Sequence, residues 1–141
     1  MKKLRVALIG CGRISISYLD AFKKLQDEIE IVAAVDIRQE RAEEFAASFP
    51  GAKAYARLED LYPLKIDVLH VALPHYLHAE VTLAALEHGM NVLSEKPMAL
   101  TLQDAEKMIE TAKEKGRKLG CIFQTRYNES VMTLKKMVEE G

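Results

Sequence analysis

The 141-residue chain has no tryptophan, two cysteines, four prolines and no excess of charge of either sign. Each scarcity excludes something. Two cysteines, Cys11 and Cys121, make neither a disulfide framework nor a paired metal motif, so both read as reduced thiols. Twenty Lys and Arg against 21 Asp and Glu leave a formal charge of -1, which argues against nucleic acid and against an anionic membrane surface as partners. The longest apolar stretches, such as Ile31 to Val35, meet a charge well before the roughly 20 residues a membrane span needs. The opening Met-Lys-Lys-Leu-Arg runs into a strand-like segment without an apolar leader or a small-residue cleavage site, so a cytoplasmic protein is expected. No repeat, linker or low-complexity tract interrupts the chain. What remains is a globular sequence, 49% hydrophobic, long enough for one domain with a sizeable core.

Short apolar runs recur at Val6 to Ile9, Ile29 to Val35, Val68 to Leu73, Asn91 to Leu93 and Leu119 to Phe123, and segments of helical spacing lie between them. This alternation predicts an α/β fold, a doubly wound parallel sheet of the Rossmann type. The spacing predicts helices over Arg13 to Leu25, Gln39 to Ser48 (stopped by Pro50-Gly51), Leu77 to His88 and Thr101 to Lys115. A weak strand is expected at Lys53 to Tyr55, and a helical turn at Leu58 to Leu61. The third long helix is expected to bury Val81, Leu83, Ala84 and Leu86 and to end at Gly89. Thr101-Leu-Gln-Asp104 reads as the cap of the fourth, which Gly116 closes.

In LRVALIGCGRIS, Leu4 to Ser15, a glycine pair follows an apolar strand and precedes a helical pattern. In that context the first glycine, Gly10, permits a tight turn, and the second, Gly12, lets the backbone approach a pyrophosphate. The helix opening at Arg13 and Ile14 points amide donors at the anion. The third fingerprint glycine is replaced by Ser15, which bears on helix-strand packing and leaves the anion site in place. A glycine turn without a ligand is the competing reading. Strand two ends in Asp36, 26 positions past Gly10 against the approximately 20 usual for an acidic residue on the adenosine ribose. A carboxylate there favours NAD over NADP. Arg38, two residues on, suits a 2′-phosphate or the adenine face, so NADP stays open. Asp36 could equally cap the helix that follows.

The second half contains ALPHYLHAE, Ala72 to Glu80, and HGMNVLSEKPMALT, His88 to Thr101. With these the chain closely resembles the N-terminal domain of the Gfo/Idh/MocA oxidoreductases, NAD- or NADP-dependent sugar and polyol dehydrogenases. Glu95-Lys96-Pro97 is the most specific part of the likeness, which runs from Leu4 to about Arg126. The resemblance implies that Lys96 lies near the reacting carbon as a proton-relay or substrate-orienting catalytic group, and that the Lys96-Pro97 peptide is cis. It further implies that Glu95 faces the nicotinamide end of the cofactor, with Leu73, Pro74 and His75 on the same rim, although many relatives carry asparagine where His75 stands. His78 caps or packs its helix near the cofactor, and Gln124 and Arg126 border the substrate cleft. From the residues alone, Lys96 equally well pairs with Glu95 at a sheet edge, and Gln124 and Arg126 are ordinary exposed residues.

His70, read as structural, with His75 and His78 falls on a strand, a loop and a helix start, so no metal site is expected. The implied organisation is a dinucleotide-binding domain over 1–122 and the start of a truncated C-terminal domain over 123–141. The expected partners are a nicotinamide dinucleotide and, in the full-length parent, a small sugar or polyol-like substrate; a homo-oligomer is compatible. Such a chain is expected to bind cofactor without turnover. A non-catalytic dinucleotide sensor or partner-binding subunit is the alternative. An S-adenosylmethionine-dependent methyltransferase shares the loop and the acidic residue but asks for no Lys96-Pro97.

Overall fold

An apolar run with no polar face needs cover on both sides, and Val6 to Ile9, the inner part of the strand Leu4–Ile9, is such a run, all four residues buried. In the computed structural model, which describes residues 2–141, this strand (β1) lies inside a sheet with β2 (Ile29–Val35), β3 (Lys53–Tyr55), β4 (Val68–Val71), β5 (Asn91–Ser94) and β6 (Leu119–Cys121). All pairings are parallel and the order is β3-β2-β1-β4-β5-β6, the doubly wound arrangement expected from the alternation of elements. Between the strands run α1 (Ile16–Lys24), α2 (Gln39–Ala46), α3 (His78–Glu87) and α4 (Leu102–Glu114), and α5 (Glu129–Glu140) closes the chain. Single 3-10 turns at Arg13–Ser15, Leu58–Leu61, His75–Leu77 and Gln124–Tyr127 lead into or replace helices. No described helix is long and apolar enough to cross a membrane.

Pleating divides the core in two. Ala7, Ile9, Val35, Leu69 and Val71 face the layer that holds Leu61, Leu86 and Val92, while Val6, Leu8, Ile31 and Ala34 face Phe22 and Phe45. Ala33 and Ala34, both fully buried, let the helices come close to the sheet on either side. Helix ends obey local chemistry. Thr101 Oγ1 accepts from the Asp104 amide at 3.1 Å and donates to the Asp104 carboxylate at 2.7 Å, so the expected cap forms at the start of α4. Gly51, Gly89 and Gly116 take positive φ where helices stop.

One expectation fails on α3. Of Val81, Leu83, Ala84 and Leu86, only Leu86 is buried, and the covered stripe is instead His78, Thr82, Ala85 and Leu86. The helix is apolar on most sides, so its spacing carried little directional signal. Packing against both β5 and α4 chose the face.

Leu8 is fully buried beneath the α1 and α2 side of the sheet. Replacing it with alanine removes three carbons from a dense layer, and Leu8→Ala is expected to lower unfolding stability by about 3 kcal/mol in a urea titration.

Candidate functional site

The site begins where β1 stops. Gly10 has φ +96°, and a Cβ built on it would lie 2.4 Å from the Ala72 carbonyl oxygen at the end of β4. Only glycine fits both the angle and the gap. A Cβ at Gly12 would meet nothing within 4 Å, so this stretch of backbone faces open space and is accessible to a ligand. Ser15, the departure from the glycine fingerprint, is buried, and its hydroxyl donates to the Gly12 carbonyl at 2.6 Å. The serine ties the loop to the turn that starts the helical segment, leaving the space in front of Gly12 clear.

Asp36 reaches across from the end of β2. One carboxylate oxygen accepts from the Cys11 amide at 2.9 Å, inside the glycine loop, and the other accepts from the Arg38 amide at 2.9 Å. Asp36 is not the cap of α2, whose N-cap is Arg38 with no side-chain bond; its carboxylate instead ties the end of β2 to the glycine loop and to the Arg38 amide. Each oxygen keeps a second acceptor direction. A groove of about 540 Å³ opens here, lined by Gly10, Gly12, Asp36 and Arg38 on one side and by Leu73, Pro74, Tyr76 and Leu77 on the other. It lies at the carboxyl ends of β1 and β4, where the sheet order reverses. Arg41, Arg57 and Leu58 complete its wall, contributed by α2 and the following turn, and no local motif in the sequence marked them.

Glu95 and Lys96 lie beyond β5 on the same rim. Glu95 is buried; one carboxylate oxygen accepts from the Tyr18 hydroxyl and the other from the Lys96 amide at 3.0 Å. The Lys96 side chain is exposed and takes no part in the ion pairs of the described residues, which are Arg5–Glu30, Lys135–Glu139 and Lys136–Glu140. The Lys96-Pro97 peptide is cis. Tyr18 is a further member of the site. On α1 its neighbours Leu19 and Phe22 make it read as core, and only the fold brings its hydroxyl to Glu95.

The other predicted residues separate. His78 is fully buried, with Nδ1 2.7 Å from the Pro97 carbonyl oxygen and Nε2 2.8 Å from the Leu73 carbonyl oxygen. The ring packs between the two loops, in keeping with the packing role expected of it, and His78 does not line the groove. His75 is exposed, edge-on to His78. Ile14 is exposed, and Arg13 lines a separate depression between α1 and α2 rather than the groove. Gln124 and Arg126 are exposed past β6, and Arg126 lines a shallow surface on α5. Among the described residues, no group of three His, Cys, Asp or Glu side chains could hold a metal ion.

Burial dominates the titrations here. The Cys11 thiol, covered and donating to the Val35 carbonyl, is pushed up to about 12, first by desolvation and then by the Asp36 charge, so it is an inert thiol. The Tyr18 phenol is raised by burial and by its bond to Glu95. His70, buried against Tyr18 and Phe22 with Nε2 unpartnered, is lowered to about 4 by desolvation, the nearby Glu95 charge opposing only in part. The unfolded chain takes up the His70 proton below pH about 6.5, whereas the folded chain resists until about 4, so stability falls as pH drops through that window. Urea titrations at pH 7 and pH 5 are expected to show a loss of about 2 kcal/mol from this residue, which His70→Leu abolishes.

With the geometry in hand, similarity to known proteins is specific. Residues 4–123 match the family described as Oxidoreductase family, NAD-binding Rossmann fold. The D-glucoside 3-dehydrogenase of Escherichia coli (strain K12) is 33% identical over 139 residues, covering 98% of this chain and 40% of that protein. The WlbA dehydrogenase of Chromobacterium violaceum, solved with NADH and UDP-GlcNAcA, superposes with a TM-score of 0.94 at 30% identity, over 99% of this chain and 41% of that one. KijD10, a 3-ketoreductase of Actinomadura kijaniata solved with NADP, gives 0.90 at 30% identity, over 99% and 43%. The chain thus spans about 40% of the length of these relatives. It belongs to the Gfo/Idh/MocA oxidoreductase family, and residues 4–123 are the family's NAD-binding Rossmann domain.

Proposed function

We propose that this domain holds a nicotinamide dinucleotide along the carboxyl rim of the sheet and serves a dehydrogenase acting on a sugar or polyol-like alcohol. The observation that carries the reading is the Asp36 carboxylate bonded into the Gly10-Cys11-Gly12 loop, which joins a ribose acceptor and a pyrophosphate cradle in one groove. The residues fit the group: the missing Cβ of Gly12 leaves room for phosphate oxygens, and the helical segment opening at Arg13 supplies amide donors. Asp36 accepts from the adenosine ribose hydroxyls, and Leu73 and Pro74 wall the path toward β5.

The chemistry a bound nicotinamide supplies is hydride exchange with an alcohol carbon. Lys96, exposed on that rim, accepts or returns the alcohol proton, and Glu95 holds the Lys96 peptide. The sugar-like substrate class is supported by relatives named for a glucoside and solved with a nucleotide sugar. NAD is preferred, since a 2′-phosphate beside Asp36 is repelled; Arg38, Arg41 and Arg57 on the same wall keep NADP as a weaker ligand. The 141-residue chain binds without turnover, because hydride exchange needs the alcohol held against the nicotinamide and the rim at Lys96 is open to solvent. Free thiols at Cys11 and Cys121 suit a cytoplasmic setting.

Calorimetric titration with NAD, NADP and S-adenosylmethionine tests the reading. NAD is expected to bind most tightly. Asp36→Ala is expected to weaken NAD by about ten- to a hundredfold and NADP by less. S-adenosylmethionine binding in place of NAD, or NAD affinity indifferent to Asp36, overturns the proposal. Measurable NAD reduction with a polyol by the 141-residue chain overturns the absence of turnover.

A further inference from the structure

Lys96 is exposed and outside the ion pairs of the described residues, yet the peptide that carries it is held from two sides. On one side the Glu95 carboxylate accepts from the Lys96 amide at 3.0 Å, and its second oxygen accepts from the Tyr18 hydroxyl. On the other, His78 spans the Pro97 and Leu73 carbonyls. The Tyr18 ring is itself fixed, packed on His70 with centroids 4.2 Å apart and against Phe22 at 6.0 Å. Tyr18 lies on α1, the helix that the Gly10–Gly12 loop feeds through the Arg13–Ser15 turn.

We propose that Tyr18 is a positioning residue that acts through Glu95, so that whatever docks at the start of α1 also sets the placement of Lys96. A buried carboxylate with no donor but its neighbour's amide is free to rotate; the phenol from another element removes that freedom. The bond joins two stretches 77 residues apart, the phosphate-facing helix and the loop after β5, by one side-chain contact. A dinucleotide that draws the α1 start toward its phosphates therefore tightens the Glu95 hold on the Lys96 amide. This coupling rests on the dinucleotide reading above; the Tyr18-Glu95-Lys96 link itself does not.

Tyr18→Phe keeps the ring on His70 and Phe22 and removes only the donor. Amide exchange followed by NMR on the 141-residue chain is expected to run about three- to tenfold faster at Lys96 in this variant, because the Glu95 carboxylate that accepts from that amide is no longer held. The Cys11 amide, bonded to Asp36, is expected to stay unchanged. In the wild type, adding NADH slows Lys96 exchange; in Tyr18→Phe it does not, although NADH still binds. Unchanged Lys96 exchange in the folded variant overturns the positioning role. Equal slowing by NADH in both chains overturns the coupling. A wild type that does not bind NADH defeats the dinucleotide reading, and with it the coupling, while the faster exchange in Tyr18→Phe still upholds the link. Should Tyr18→Phe fail to fold, Glu95→Gln carries the test by phenol absorbance: the Tyr18 phenol, raised by burial and by its bond to Glu95, is expected to titrate at lower pH in the variant, while Tyr62, raised by burial and its own acidic neighbours, is not. A phenol titration unchanged by Glu95→Gln overturns the link.

Discussion

The structure depends on one close approach. The Ala72 carbonyl lies where a side chain on residue 10 would begin, and the backbone there has a positive φ, so the ends of β1 and β4 meet only because Gly10 carries no Cβ. That meeting puts the glycine loop against the wall formed by Leu73 and Pro74, and the groove is the space left between them. A larger residue would push the two strand ends apart, and with them the two halves of the sheet at its switch point.

Around this contact the buried and half-buried polar groups connect loops instead of merely tolerating burial. Asp36 ties β2 to the glycine loop, Ser15 ties that loop to the turn after it, Glu95 ties α1 to the peptide of Lys96, and His78 ties the β4 and β5 loops to each other. Each is anchored on a strand end or a helix start, so the irregular backbone of the rim inherits rigidity from the regular layer below. His70 and Thr82 are the exceptions, since His70 Nε2 and Thr82 Oγ1 lack partners. His70 offsets this by remaining neutral and packing two aromatic rings.

The pieces of the site differed in how visible they were. Gly10, Gly12 and Asp36 stand at positions set by strand-loop-helix geometry, and Glu95-Lys96-Pro97 is a contiguous signature, so both were legible in the chain. Tyr18 was hidden because an aromatic residue in helical register with Leu19 and Phe22 looks like core, and most of it is. Arg41 and Arg57 were hidden because they line the groove from separate elements. His78 was legible as a cap or packing residue, but which loops it lies between was not, because the Leu73 and Pro97 carbonyls beside its ring come from separate elements.

By itself the sequence determined the element order, the parallel sheet and the place of the glycine turn after β1, because hydrophobic period, glycine at positive φ and helix caps act within a few residues of chain. Only the tertiary structure decided which face of α3 is covered, which histidine is a brace, and which tyrosine reaches Glu95. Those outcomes depend on atoms brought together across long stretches of chain, where packing and the pairing of buried polar groups act without regard to sequence distance.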